Sequence, residues 1–422
     1  LFIGLFISTL SFSQITNSNI TGTIKDKKGD KITGSTIQLI LKSNGVKYNT
    51  SSDANGIFHI YNANVGGPYE IKVSSVGYKS YDKGGIQFDL GDNTYDIVLE
   101  EDNIQLKEGV VSAKSTNIKG SGMVIGEQRL SSVPTLSRSI TDFTKLVPQS
   151  INNSFAGTNF RYNNVTIDGT INNDAIGFSP SLGGQGGTSG MPGSSTRTSP
   201  ISLDAIQDIQ VYVAPFDVKI GNFLGGSINA ITRSGTNEVK GSVYGFGRNS
   251  SLAGFKTTND FHDYQTGFRI GLPIKKDKLF LFTSAEITNR NEPVFYGGNS
   301  GGLVSDSLAK VIADFTKTKY GYNVGQWDDY SIYSKSKKLF NRLDWNINDK
   351  NQLTLRNNTV VSEATNLERD LANFRFSSMD FKQNNNQSST VLELRSKIGK
   401  GANSLIFGYT DIHDYRTPTS EN

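Results

Sequence analysis

Four segments in the second half of the chain repeat one pattern, and that pattern limits the folds open to it. They are Tyr264–Leu272, Lys278–Ile287, Leu339–Ile347 and Gln352–Val361. Within each, apolar or aromatic residues alternate with Arg, Asp, Asn, Gln or Gly, and polar turns join the segments. A period of two is the signature of a strand with two unlike faces. In a soluble sheet one face would be wet; in a transmembrane β-barrel the apolar face meets lipid and the polar face meets the lumen. Repetition with long intervening loops favours the barrel. Seven such strands are expected, near 240–249, 264–273, 278–290, 338–347, 351–361, 388–399 and 403–413.

Composition agrees with that reading. Only 35% of the 422 residues are hydrophobic, which suits barrels because every second strand residue faces away from lipid. No internal run of about 20 apolar residues could form a transmembrane helix. Leu1–Gln14 reads as the apolar core and small-residue end of a secretory signal, so the mature chain is expected to start near Gln14 or Ile15. The missing initiator and basic segment, and a C-terminus without a closing aromatic strand, predict a chain truncated at both ends. There is no cysteine, which removes disulfides, thiolate metal sites and thiol nucleophiles. The three histidines, His59, His262 and His413, stand far apart, which argues against a metal or catalytic cluster. A formal charge of +4 on this length predicts no nucleic-acid partner.

The N-terminal region reads as a small all-β unit. Ile20–Ile24, Thr36–Leu41, Ile57–Ile60, Tyr69–Tyr78 and Tyr95–Leu99 are strand-like, and Asp26–Gly29 and Asp53–Gly56 are turns. Gly22, Asp26, Gly29, Gly34–Ile37, Thr50, Asp53, Gly56, Phe58, Tyr69, Ile71, Val73, Gly77 and Tyr78 fall in the pattern of the carboxypeptidase regulatory-like domain. This stretch therefore resembles that transthyretin-like sandwich, which carries no peptidase residues. Beyond it come a short apolar segment and then a region rich in Gly, Ser and Asn. Six of the thirteen residues Ser181–Gly193 are glycine, with no phosphate-cradling motif.

Three further stretches carry a second resemblance. Leu106-Lys107-Glu108-Gly109-Val110-Val111-Ser112-Ala113 is similar to a TonB box, with Gly109 where a valine is usual. Asn164–Gly169, containing Ile167, Asp168 and Gly169, is similar to a plug-domain strand and turn. Ile206–Val213 followed by Gly221–Thr232, with Gly225, Gly226, Asn229 and Thr232, is similar to the closing segment of a plug. The order of these parts resembles TonB-dependent outer-membrane receptors of the Bacteroidota type, and Ser199–Ala205 with Ala214–Lys219 looks most like the Oar-like group. The resemblance implies a mainly β chain of five parts. These are a signal remnant (1–14), a β-sandwich (15–100), a linker with the box (101–118), an α+β plug (119–237) and the first strands of a barrel of about 22 strands (238–422).

It also implies a location in the outer membrane of a Gram-negative cell, with the sandwich in the periplasm and membrane lipid around the strands. The partners it implies are TonB with ExbB and ExbD and an unknown bulky nutrient, and it leaves a surface lipoprotein open as a further partner. The function it implies is energised uptake gated by the plug. No cofactor is implied. A structural, adhesion or protein-export role through the sandwich is the alternative. An enzyme is the weakest reading: Asp168 with Asp174, or Asp204 with Asp208, could be named as acid pairs. Asp168-Gly169 instead reads as a turn, Asp204 and Asp208 as an exposed helix, and all four acids as solvated. Tyr244, Phe246, Phe268, Phe280, Phe282, Trp345, Phe407 and Tyr409 are expected mostly on the lipid face or in its aromatic girdles. The stretches Phe295–Tyr333 and Phe374–Phe381 are expected as long extracellular loops.

Overall fold

A computed structural model describes residues 17–102 and 121–419, apart from 134, 136–137, 152–153, 159–162, 173–195, 214–223, 253–259, 299–300, 368, 370–371 and 400. Strands dominate it.

The N-terminal unit is a two-sheet sandwich. One sheet joins β1 (Ser18–Asp26), β4 (Ile57–Ala63), β7 (Gly91–Thr94) and β8 (Ile97–Leu99). The other runs β3 (Lys47–Ser51), β2 (Thr36–Leu41), β5 (Gly66–Ser74) and β6 (Tyr81–Phe88) in that order. Ile20, Ile24, Ile37, Leu39, Phe58, Ile71 and Val73 alternate inward and close the core between the sheets. The two motif aspartates make turns: Asp26 Oδ1 accepts from the amides of Lys28 and Asp30, and Asp53 Oδ1 from those of Asn55 and Ile57. Gly22 is set by space, since a Cβ there would lie 1.8 Å from the Tyr95 carbonyl oxygen. Strands β3 and β6, which the sequence pattern did not mark, are the mostly polar outer strands of their sheet.

The middle domain packs helices α1 (Glu127–Ser132) and α2 (Ile140–Thr144) on a mixed sheet. Its short elements are β9 (Ser121–Ile125), β10 (Ser150–Ile151), β11 (Ser154–Phe155), β12 (Asn164–Ile167) and β13 (Thr170–Ile171). Its long ones are β14 (Ile206–Val213) and β15 (Gly226–Thr232), and the sheet order is β13-β12-β15-β14-β9. β15 is buried at all seven positions, so its residues are small or apolar throughout. The expected exposed helix at Asp204 and Asp208 is absent. Asp204 lies in the single 3-10 turn Leu203–Ala205 and Asp208 on β14, where a central strand position overrides local helix preference.

The C-terminal part is one antiparallel sheet of seven strands in sequence order. They are β16 (Lys240–Asn249), β17 (His262–Lys275), β18 (Leu279–Val294), β19 (Tyr330–Asn348), β20 (Asn351–Thr365), β21 (Phe381–Ile398) and β22 (Gly401–Pro418). Each expected segment falls on one of them, with only Lys278 and Gly399 lying outside the strand ends. The strands run longer than the alternation because their far ends are polar on both faces, as in Gln383–Gln387. Turns at 276–278 and 349–350 are short, and the opposite ends carry the long connections. In bacterial barrels the short turns are periplasmic. One long connection contains α3 (Asp306–Tyr320), which the sequence reading left as loop. Ser305 caps its first turn and Gly321, at φ 68°, ends it. Among the described residues, no helix is long and apolar enough to cross a membrane, which says nothing of strands.

The faces of the sheet follow the alternation, with a correction for aromatics. Trp345 and Leu355 point outward, while Arg342, Asp344 and Arg356 are buried on the inward face. Phe280 and Phe282 are buried on that inward face, and Phe282 joins the middle domain's core with Phe340. Tyr244 also turns inward, hydrogen-bonding Glu286. A barrel wall facing a folded domain needs apolar side chains for that contact as well as for lipid, and a period of two cannot tell the two faces apart.

Candidate functional site

The middle domain meets the barrel wall through two buried polar clusters. The first is built from its strand ends. β12 delivers Ile167 into the core and turns at Asp168-Gly169, both with positive φ. The Asp168 amide donates to the Ala230 carbonyl and the Gly169 amide to Asn229 Oδ1, which also accepts from Thr166 Oγ1. The Asp168 carboxylate accepts from Thr232, by amide at 2.9 Å and hydroxyl at 2.5 Å. Close to β15, a Cβ on Gly226 would lie 2.7 Å from the Phe155 ring, and one on Gly225 2.1 Å from Thr158 Oγ1. The residues singled out in sequence, Ile167, Asp168, Gly169, Gly225, Gly226, Asn229 and Thr232, thus come together around the β12–β15 pair.

From there the contacts cross to the barrel. Arg356 reaches Asp168 at 3.0 Å and Glu393 at 2.9 Å, and Glu393 also holds Arg395 at 2.6 Å. Arg342 donates to the Thr232 carbonyl at 3.1 Å and pairs with Asp344 at 2.8 Å. Asp168 is 4% exposed, so the expectation of a solvated acid is corrected: it is a structural acid, buried and paired. Burial opposes its ionisation, but the guanidinium groups of Arg356 and Arg342 and the Thr232 donors outweigh that, holding the carboxyl below its ordinary range. Removing one partner from such a buried pair costs on the order of 3–5 kcal/mol, because the other charge stays buried.

The second cluster was not anticipated. It follows residue 195. Thr196 and Thr198 pair their hydroxyls with Ser362 and Ser336. Arg197 donates to the carbonyls of Thr365 and Tyr333. Asn358 and Gln387 both donate to the Pro200 carbonyl. Ser202 donates to Glu286, which also binds Tyr244 and Lys338. Arg138 pairs with Asp204 and covers the rings of Tyr244 and Phe246. The sequence signal was the run Thr196-Arg197-Thr198-Ser199-Pro200, polar residues leading up to a proline, with Arg197 turned at positive φ. On the opposite side of the barrel from the short turns, Arg369 is buried and donates to the carbonyls of Asp328, Gln326 and Arg375, knitting two long connections together.

Leu106–Ala113 and Asp174 lie outside the described residues. Among the described residues, no group of three or more His, Cys, Asp or Glu could hold a metal ion.

Comparison with known proteins agrees with this architecture. Residues 19–100 match the carboxypeptidase regulatory-like domain and residues 231–299 the outer membrane beta barrel domain. The match to an outer membrane beta barrel domain, with the transporter it resembles, puts the chain in the outer membrane. In particular, the chain is similar to the TonB-dependent transporter Oar of Myxococcus xanthus, 24% identical over 310 residues, covering 66% of this chain and 27% of that protein. The outer membrane transporter YddB from Escherichia coli shares the fold, with a TM-score of 0.50 at 13% identity, over 72% of this chain and 41% of that one. The siderophore receptor PirA from Acinetobacter baumannii gives a TM-score of 0.45 at 18% identity, over 70% and 40%. The chain therefore spans well under half the length of each of these proteins. The relatives are transporters and receptors, not enzymes.

Proposed function

We propose that the protein is an outer-membrane transporter in which the middle domain acts as a plug, opened with energy from TonB and its partners ExbB and ExbD. The observation that carries this is the buried link between Asp168 and Arg356, which ties the middle domain to the barrel wall by an ion pair. A wide barrel would leak unless filled, so a plug must be held in place at rest and released on demand. The outer membrane has no nucleotide supply of its own, so the work has to arrive mechanically. The segment Leu106–Ala113 would add a strand to a partner's sheet edge, where backbone hydrogen bonds give the grip. A bulky nutrient, a peptide or a glycan, is the cargo this reading favours, entering from the side of the long connections. The test is uptake by cells carrying the complete protein, across candidate peptides and glycans, with and without TonB. Uptake that needs TonB is expected. Equal uptake in both strains would reject the energised reading and favour a structural or export role.

A further inference from the structure

We propose that the sandwich is seated on the short-turn rim of the barrel, and that this seat is coupled to the plug's ion pair through the barrel wall. The seat is built around Asn64, at the end of β4. Its amide donates to the Tyr48 hydroxyl at 3.1 Å and its carbonyl accepts from the Tyr69 hydroxyl at 2.7 Å. These bonds fix its side chain, whose Oδ1 accepts from Arg395 of β21 at 2.5 Å. Further contacts surround this joint. The Asn237 amide, just before β16, donates to the Ser43 carbonyl at 2.9 Å, and Lys397 Nζ donates to the Asn49 carbonyl at 2.7 Å. A Cβ on Gly45, in the β2–β3 turn, would lie 2.1 Å from the Asp277 carboxylate in the short β17–β18 turn, so the Asp277 side chain lies close against the Gly45 backbone.

The coupling follows from the order of charges. Asp168, Arg356, Glu393 and Arg395 alternate in sign from the plug to the seat, and each of the four is less than a tenth exposed. Glu393 shares its two carboxylate oxygens between the arginines, Oε2 to Arg356 and Oε1 to Arg395. While Asp168 is present, Arg356 divides its charge between two acids. When Asp168 leaves, Glu393 is the remaining acid in contact with Arg356. It then turns toward Arg356 and loosens its hold on Arg395, whose guanidinium is no longer fixed for Asn64. Buried charges have no water to take over a lost contact, so a change at one end is felt by the next group. Plug release at Asp168 would thus free the sandwich from the rim. This inference concerns the seat and does not depend on what, if anything, is transported.

Hydrogen exchange on the complete protein in detergent micelles tests it, because the Asn237 amide is bonded across the junction and exchanges when the seat opens. Amides within the sandwich sheets, such as that of Leu39, report whether the sandwich itself stays folded. Asn64→Ala and Glu393→Gln should each speed exchange at Asn237 roughly tenfold, with Leu39 unchanged. Asp168→Asn should do the same. Because Asp168 also bonds Thr232 near Asn237 in sequence, the double variant Asp168→Asn/Glu393→Gln separates the routes. A relay predicts a double variant little faster than either single; two independent routes predict the product of both effects. That product, or an Asn237 amide unmoved by Asp168→Asn, would overturn the coupling. An Asn237 amide unmoved by Asn64→Ala would overturn the seat.

Discussion

Asp168, at the turn after a middle-domain strand, and Arg356, within a barrel strand, meet at 3.0 Å with both side chains buried. The acid belongs to a stretch whose sequence marks a turn. The arginine belongs to a stretch whose alternation marks a polar barrel face. Their meeting joins two readings that the sequence left separate.

Asp168→Asn keeps the shape of the side chain and removes its charge. Arg356 and Arg342 then stay buried with less acid around them. We expect the middle domain to lose on the order of 3–5 kcal/mol of its hold on the barrel. Urea titration of the complete protein, followed by protease cleavage within residues 121–232, reads this directly. A middle-domain midpoint equal to the parent's would mean the pair contributes nothing. The parent's pH response has the same origin. Because the folded carboxyl titrates below its ordinary range, its contribution is present at neutral pH and is lost as pH falls through that lowered value.

Asp208 should behave in the opposite sense. It lies on β14 with Glu127 of α1, Arg233 after β15 and Asp89 of the sandwich around it, and burial pushes its carboxyl up to about 6. Its Oδ2 is buried without a hydrogen bond. A raised acid costs stability once the unfolded chain ionises, so the penalty grows from about pH 4 to about pH 6 and is constant above. Asp208→Asn is expected to stabilise the protein at pH 7.5, by at most about 3 kcal/mol, and to have no effect at pH 4. Denaturant midpoints at the two pH values decide it; a gain of equal size at both would rule out ionisation as the cause.

Outward and inward faces also make a prediction. Leu355 is 42% exposed on the lipid side, next to buried Arg356 on the other. Leu355→Arg places a charge in hydrocarbon, at a cost of roughly 2–4 kcal/mol near the midplane. Reduced yield of heat-modifiable barrel is expected in membranes, while Thr354→Ser, on the inward face, should assemble normally. Full assembly of the arginine variant would mean the faces are assigned the wrong way round.

These cases show where the sequence was legible. Period-two alternation located all seven barrel strands because a strand between lipid and a polar interior must alternate. It did not locate the strand ends, where both faces of Gln383–Gln387 are polar. It could not say that Phe280 and Phe282 face inward, since apolar contact looks the same toward lipid and toward protein. The turn at Asp168-Gly169 was readable from local chemistry. Its burial was not, because that depends on Arg342 and Arg356, which lie 174 and 188 positions further along the chain. The Thr196–Pro200 anchor escaped for the same reason: its partners are on β18, β19, β20 and β21, and no local pattern announces them.

The remaining prediction concerns Leu106–Ala113, between the sandwich and the plug. We read it as the strand offered to TonB, with Leu106, Val110 and Val111 filling side-chain pockets and the backbone supplying the ladder. Proline cannot donate to such a ladder and also restricts the residue before it. Val110→Pro is therefore expected to abolish energised uptake while leaving surface level and ligand binding at the parent's values. Single changes to Ala at Leu106 or Val111 should weaken uptake less, because the backbone bonds remain. A folding defect would appear separately, as lost surface protein. Paired uptake and binding assays on the complete protein distinguish the cases. Undiminished uptake by the Val110→Pro protein would reduce this segment to a linker, and the coupling to TonB would then have to enter through another part of the chain.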